Sequence, residues 1–185
     1  MKKHIFYSPD QKQIVYLTQS FIAITFQNYT SWEEFLKAIT ELTDALEEVY
    51  QPGDYTRIGI RYYDLINRAQ LNLKKASWKS VLNNHIIGLL ASDIKSNVKS
   101  FEASYDVELD KSCHYLRLNA SLVKPVDTNE ECLLVDSDFY CQTQIKKEEA
   151  TDVLNYLHDN ASHLIYWLVK DKTHKAMGPI EYETL

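Results

Sequence analysis

Residues 55–63 read YTRIGIRYY, directly after the turn signal QPGD at 51–54, and this stretch decides the fold class. Apolar and polar side chains alternate along it. An alternation with a period of two predicts a β-strand that is buried on one face only. The apolar face would carry Ile58, Ile60 and Tyr62. The polar face would carry Arg57, Gly59, Arg61 and Tyr63.

Five further segments have the composition or alternation of β-strands. Segments 13–18 and 21–27 surround the short polar pair Gln19 and Ser20, which predicts a hairpin. Segment 101–109 alternates regularly, and 114–122 and 132–143 follow it as a meander. Consecutive strands joined by short turns predict antiparallel pairing.

Three segments read as helices. Ser31 and Glu34 form a capping box that opens the first helix, whose apolar stripe recurs every three or four residues and should be buried against a sheet. Segments 78–90 and 148–175 supply the other two. The sequence therefore predicts an α+β fold with a largely antiparallel sheet of about six strands and three helices packed mainly on one face. We expect a single domain, 1–185, with a loose duplication of 1–90 and 91–185.

Composition restricts the class of protein. The net charge is −6, which disfavours the broad basic surface that nucleic-acid binding requires. No apolar run approaches the roughly 20 residues of a membrane span, and the N-terminus lacks the apolar region of a secretory signal. We therefore expect a cytoplasmic protein without a membrane partner, with Cys113, Cys132 and Cys141 as reduced thiols.

Two aspartates are the sharpest candidates for chemistry. Asp136 and Asp138 lie two residues apart on a predicted strand, so both carboxylates project from the same face. With Mg²⁺ they could support phosphodiester hydrolysis. Alternatively, Arg57, Arg61 or Arg117 neutralises them from neighbouring strands. We favour neutralisation, because no third acidic or histidine ligand is identifiable, and we expect no cofactor outside the metal alternative.

The polar sheet face is the predicted binding surface. Its arginines and tyrosines are residue types that recur at protein interfaces. The same composition is also that of an ordinary solvated sheet face. The candidate binding residues are Arg57, Arg61, Tyr63, Arg117 and Tyr140.

Several segments, in the same order, resemble a sporadically distributed bacterial family of uncharacterised proteins. Residues 57–66, RIGIRYYDLI, match its R-I-G-L-R-Y-I-N-R-I strand, with Asp64 and Leu65 replacing asparagine and arginine. Residues 29–35, YTSWEEF, resemble its helix start, and 133–138, LLVDSD, its L-D-x-D strand. Leu157, His158 and Trp167 resemble its closing helix.

That family has no established activity to carry over. Its patchy distribution implies a mobile or defence-linked gene. Its members carry a further N-terminal strand–helix unit that this sequence lacks, so the resemblance implies an exposed sheet edge and a homodimer or heteromeric complex.

The leading functional hypothesis is a non-catalytic protein that recognises a protein partner, or its own copy, through the polar sheet face. One alternative is a metal-dependent phosphodiesterase or nuclease that uses Asp136 and Asp138. Another is a chaperone-like or antitoxin-like protein that holds its client on the same face.

Overall fold

The structure is a computed structural model that describes residues 2–126 and 130–178. Within those residues it has two antiparallel sheets and five α-helices. The strands are β1 (His4–Tyr7), β2 (Gln13–Leu17), β3 (Ile22–Phe26), β4 (Ile58–Ile66), β5 (Glu102–Glu108), β6 (His114–Val123) and β7 (Cys132–Cys141). The helices are α1 (Trp32–Tyr50), α2 (Trp78–Val81), α3 (Asn84–Ile87), α4 (Ala150–Leu168) and α5 (Asp171–Ala176).

The chain divides into two compact units, Met1–Gly53 and Asp54–Leu185. The first contains the sheet β1-β2-β3 and helix α1. The predicted hairpin is confirmed as β2 and β3. At the start of α1 the Ser31 side chain accepts a hydrogen bond from the Glu34 amide, which is one half of the predicted capping box, while the Glu34 carboxylate accepts from the Thr30 hydroxyl. No residue of α1 is fully buried, however, so the predicted burial of its apolar stripe is only partial.

The second unit contains the sheet β4-β7-β6-β5, in that spatial order. One face of this sheet is apolar: Ile60, Leu118, Val135 and Phe139 are at most 6% exposed. Helix α4 packs against β4 and β7 on this face, where the Tyr62 hydroxyl lies 3.0 Å from His158 Nδ1. We call it the covered face. The predicted faces of β4 are confirmed, and the predicted polar-face residues Arg117, Asp136, Asp138 and Tyr140 lie on the side away from the covered face.

The prediction of one six-stranded sheet is wrong, because the strands form sheets of three and four. The fold class itself, α+β with antiparallel sheets, is confirmed. A period of two identifies the two faces of a strand, but it contains no information about which strand lies beside it. The single-domain organisation and the loose duplication stay predictions.

The number of helices is also corrected, from three to five among the described residues. One contact interrupts two of the predicted helices. Leu82 and Val169 form an isolated antiparallel bridge, so the chain is extended at both residues. This bridge separates α2 from α3 within the predicted helix 78–90, and α4 from α5 within the predicted helix 148–175. A third break, between α3 and a 3₁₀ turn, falls at Gly88, whose φ is 48°. Both residues are buried apolar side chains, so helical periodicity does not reveal the break.

Strand β5 is more exposed than its regular alternation predicts. Tyr105 and Val107 belong to its apolar side and are 42% and 43% exposed. The reason is position, because β5 is the last strand of the sheet and pairs only with β6 among the described strands.

Candidate functional site

The second face of the four-stranded sheet, which we call the arginine face, carries the predicted site residues. Its arrangement follows from the strand register, in which residues directly opposite each other project from the same face. One row across the four strands reads Arg61, Asp138, Arg117, Asp106. The next rows on either side read Gly59, Tyr140, Tyr115, Glu108 and Tyr63, Asp136, Asn119, Ser104. Positive and negative side chains therefore alternate along the central row.

Two arginines each hold one of the candidate aspartates. Arg61 donates from Nε and Nη2 to the two oxygens of Asp136, at 2.7 and 2.6 Å. Arg57 donates from Nη2 to both oxygens of Asp138, at 3.1 and 2.9 Å. The Arg61 pair has two parallel bonds from two nitrogens, which fix both groups in one geometry, whereas a single nitrogen of Arg57 bridges both oxygens of Asp138. The hydrogen bond that Arg61 donates to Asp136 keeps the pKa of Arg61 above its ordinary value.

The carboxylates lie deeper than the guanidinium groups. Asp136 is 14% exposed and Asp138 is 25% exposed, whereas Arg61 and Arg57 are 49% and 46% exposed. The arginine face therefore presents cationic groups to its surroundings, with their counter-charges underneath.

Aromatic rings support both arginines. The Arg57 guanidinium lies 4.6 Å from the centre of the Tyr140 ring, and the Arg61 guanidinium lies 4.8 Å from that of Tyr63. Such contacts between a cation and a ring add about 0.5–1 kcal/mol at exposed sites. The Tyr63 side chain is 61% exposed.

Gly59 provides the space for Arg57. A Cβ atom on Gly59 would lie 3.1 Å from Arg57 Nη1, from the Phe139 carbonyl oxygen and from Tyr140 Cβ. A side chain at this position would therefore compete with the guanidinium for the same space.

The fifth predicted binding residue, Arg117, is less tightly held. Its Nε donates to Asp106 at 2.8 Å on the edge strand β5, and both side chains are more than half exposed. This hydrogen bond raises the pKa of Arg117. The structure thus brings Arg57, Arg61, Tyr63 and Tyr140 together around β4 and β7, with Arg117 one strand further along the same face.

The geometry does not favour a metal between the two aspartates. Each carboxylate already accepts two hydrogen bonds from a guanidinium, and an incoming cation would have to displace that arginine. Among the described residues, no group of three or more His, Cys, Asp or Glu side chains is arranged to hold a metal ion.

One partly buried polar cluster of the second unit was not predicted from the sequence, and it lies in a depression of about 250 Å³. Arg68 lies 4.0 Å from the Trp78 ring centre, and the Trp78 indole nitrogen donates to Glu131 at 3.1 Å. Desolvation lowers the pKa of Arg68. These residues are far apart along the chain and match no motif, so the sequence contained no signal for the cluster.

The three cysteines are free thiols, and Cys132 and Cys141 are buried. Burial raises the pKa of both thiols, which disfavours the reactive thiolate. No helix among the described residues has the length and apolar character needed to cross a membrane.

No protein-family model, curated protein or solved structure matches this chain. The family resemblance therefore stays a prediction, and its functional implications rest on the residues described above.

Proposed function

We propose that the protein is a non-catalytic interaction module that recognises a protein partner through the arginine face. The observation that supports this most directly is the way in which ion pairs and ring contacts fix Arg57 and Arg61 in place. Each guanidinium is held by a two-point bond to an aspartate and lies against a tyrosine ring, yet remains about half exposed.

Held side chains are suited to binding because they have little conformational freedom left to lose. Immobilising a long side chain at an interface costs about 0.5–1.5 kcal/mol in conformational entropy. The ion pairs of Arg57 and Arg61 already restrict these side chains before binding, so binding loses less of that entropy. Tyrosine and arginine are also the residue types enriched at interface positions whose truncation costs the most affinity.

The same contacts make a hydrolytic role the weaker candidate. A metal-dependent phosphodiesterase would need Asp136 and Asp138 to coordinate cations, whereas both carboxylates are occupied by arginines. A chaperone-like role would use the same face, and the identity of the partner would distinguish it from the proposed function.

The test compares two exposed tyrosines. Tyr63 lies on the arginine face and is 61% exposed, while Tyr166 lies on α4 and is 68% exposed. A partner is first captured from lysate of the native host on the wild-type protein, then purified and titrated by calorimetry against each variant. Tyr63→Ala and Arg61→Ala should each weaken binding by about 30-fold, the effect of a residue that dominates an interface.

Tyr166→Ala is the matched control and should leave affinity unchanged, since it removes an equally exposed tyrosine from another surface. Circular dichroism and a thermal melt establish that each variant is folded. Wild-type affinity in both Tyr63→Ala and Arg61→Ala would rule out recognition through the arginine face.

A further inference from the structure

We infer that a second copy of this chain extends the four-stranded sheet by joining the β4 edge of one copy to the β5 edge of the next. This inference rests on the proposed function, because β4, the strand that carries Arg61 and Tyr63, forms one of the two joined edges. It depends on three properties of the two edges: the direction of their backbone groups, their charges, and the apolar residues on the covered face.

The backbone hydrogen bonds determine which residues of β5 are available at its edge. The Leu122 amide donates to the Phe101 carbonyl and the Leu109 amide donates to the His114 carbonyl, so odd-numbered residues of β5 bond to β6. Hydrogen-bonded and non-bonded positions alternate in an antiparallel pair. The amides and carbonyls of the four even-numbered residues therefore point outward: Glu102, Ser104, Asp106 and Glu108.

The same reasoning identifies the free positions of β4. The Gln142 amide donates to the Cys113 carbonyl, so even-numbered residues of β7 bond to β6 and its odd-numbered residues bond to β4. In the β4–β7 register, the odd-numbered residues of β7 face even-numbered residues of β4. The outward groups of β4 thus belong to Gly59, Arg61, Tyr63 and Leu65.

The two sets of outward residues are compatible. Both sets carry their side chains on the arginine face, so the two edges can form an antiparallel ladder that continues the sheet without inverting it. Placing Arg61 of one copy opposite Asp106 of the next extends the row Arg61, Asp138, Arg117, Asp106 with another arginine. The alternation of charge then runs unbroken from copy to copy.

The charges at the two edges are opposite in sign. The β5 edge carries Glu102, Asp106 and Glu108, and among the described residues neither glutamate forms a hydrogen bond or an ion pair. In the same register Glu108 lies opposite Gly59, over which the Arg57 guanidinium rests. An unpaired carboxylate on one copy therefore meets an arginine on the next, and opposite charges that face each other across strands are stabilising.

On the covered face, the same register places apolar and aromatic side chains of the two copies opposite each other. Val107 and Tyr105, more than two-fifths exposed on β5, come opposite Ile60 and Tyr62 of the next copy. Pairing the strands shields these apolar side chains, which are exposed because β5 is the last strand of the sheet.

A symmetric pairing of two β5 edges is disfavoured. With Tyr105 on the twofold axis, Glu102 of one copy would lie opposite Glu108 of the other, and like charges in that position repel. The pairing of β4 with β5 is instead head-to-tail, so each copy keeps one free edge of each kind and the assembly grows beyond a dimer or closes into a ring.

The experiment blocks each edge separately. Leu65→Pro removes an outward amide from β4, and Ser104→Pro removes one from β5, while neither amide belongs to the ladders inside one copy. Leu65→Ala and Ser104→Ala keep the amides and serve as matched controls. Sedimentation velocity then measures association of each protein alone and of the two proline variants mixed in equal amounts.

We expect the wild type and both alanine variants to form species larger than dimers as concentration rises. Each proline variant alone should be monomeric, and the mixture should form dimers and nothing larger, because it contains one usable β4 edge and one usable β5 edge. Raising the salt from about 0.1 M to about 1 M should weaken wild-type association, since the screening length falls from about 10 Å to about 3 Å.

Three results would overturn the inference: a wild-type protein that is monomeric up to about 1 mM, a mixture that stays monomeric, or association abolished by only one of the proline variants. Should a proline variant not fold, the double variant Glu102→Lys with Glu108→Lys replaces it, and undiminished association in that variant would be equally decisive. A monomeric wild type whose captured partner is lost on Tyr63→Ala would overturn this inference and leave the proposed function standing.

Discussion

The two faces of the four-stranded sheet are built by different forces from the same strands. On the covered face, Phe139 is 1% exposed and Leu118 is 5% exposed, and the side chains are held by exclusion from water. On the arginine face, neighbouring positions are held by paired charges and rings, and Tyr63 is 61% exposed.

This difference separates stability from recognition. Burial of apolar area contributes about 25 cal/mol per Å², whereas an exposed ion pair contributes between zero and about 1 kcal/mol. The covered face should therefore determine whether the protein folds, and the arginine face should be open to substitution without unfolding. Substitutions on the two faces test that separation.

The strongest test uses two adjacent residues of β7. Phe139 faces α4 and Tyr140 faces the opposite side, where its ring contacts Arg57 and Tyr115. Phe139→Ala should lower the free energy of unfolding by about 3–5 kcal/mol, because it removes a fully buried ring and leaves a cavity. Tyr140→Ala should cost only about 1–2 kcal/mol, the value of a ring pair and a cation contact.

Urea unfolding of both variants measures the difference. Equal losses from the two substitutions would show that the arginine face supports the fold as much as the covered face does, and the proposed separation would be wrong.

The sequence was sufficient to predict which residues lie on each face. Alternation assigned Ile58 and Ile60 to one face and Arg57 and Arg61 to the other, because a strand reverses its side chains at every residue. The division into sheets of three and four strands was not predictable in this way, since pairing is decided by contacts between distant segments. The bridge between Leu82 and Val169 is such a contact, and it ended two predicted helices.

The candidate site was predictable to a similar extent. Strand alternation placed Asp136 and Asp138 side by side and named Arg57, Arg61 or Arg117 as neutralising residues. Arg57 and Arg61 hold the two aspartates, whereas Arg117 pairs with Asp106. The individual pairs were not predictable, because Arg57 precedes the first paired residue of β4 and Arg61 reaches an aspartate diagonal to it rather than the one directly opposite. Arg61 lies opposite Asp138 in the register and bonds to Asp136.

A smaller effect is expected at Gly59, whose missing side chain leaves space for the Arg57 guanidinium. A Cβ at Gly59 would approach the Phe139 carbonyl oxygen and Tyr140 Cβ at 3.1 Å, and neither of these atoms belongs to a flexible side-chain end. Gly59→Ala should therefore cost about 1 kcal/mol and displace the Arg57 guanidinium from the Tyr140 ring.

A double-mutant cycle identifies the source of that cost. If Arg57 is the group that is displaced, Gly59→Ala should cost less in the Arg57→Ala background than in the wild type. The same cost in both backgrounds would assign the strain to the backbone of β7 and would separate Gly59 from the positioning of Arg57.

The smallest effect is expected at Asp64, a carboxylate that lies on the otherwise apolar covered face of β4. Desolvation raises the pKa of Asp64 above its ordinary value of 3.8. A folded-state pKa above the unfolded one means that this carboxyl group favours folding most below about pH 3.8, and that the contribution is lost as the pH rises through the folded pKa. Asp64→Asn should therefore raise the stability at pH 7 relative to the wild type, by an amount that shrinks towards pH 4. Urea unfolding of both proteins at pH 7 and at pH 4 measures the difference in their free energies of unfolding. The same difference at both pH values would show that ionised Asp64 does not destabilise the covered face.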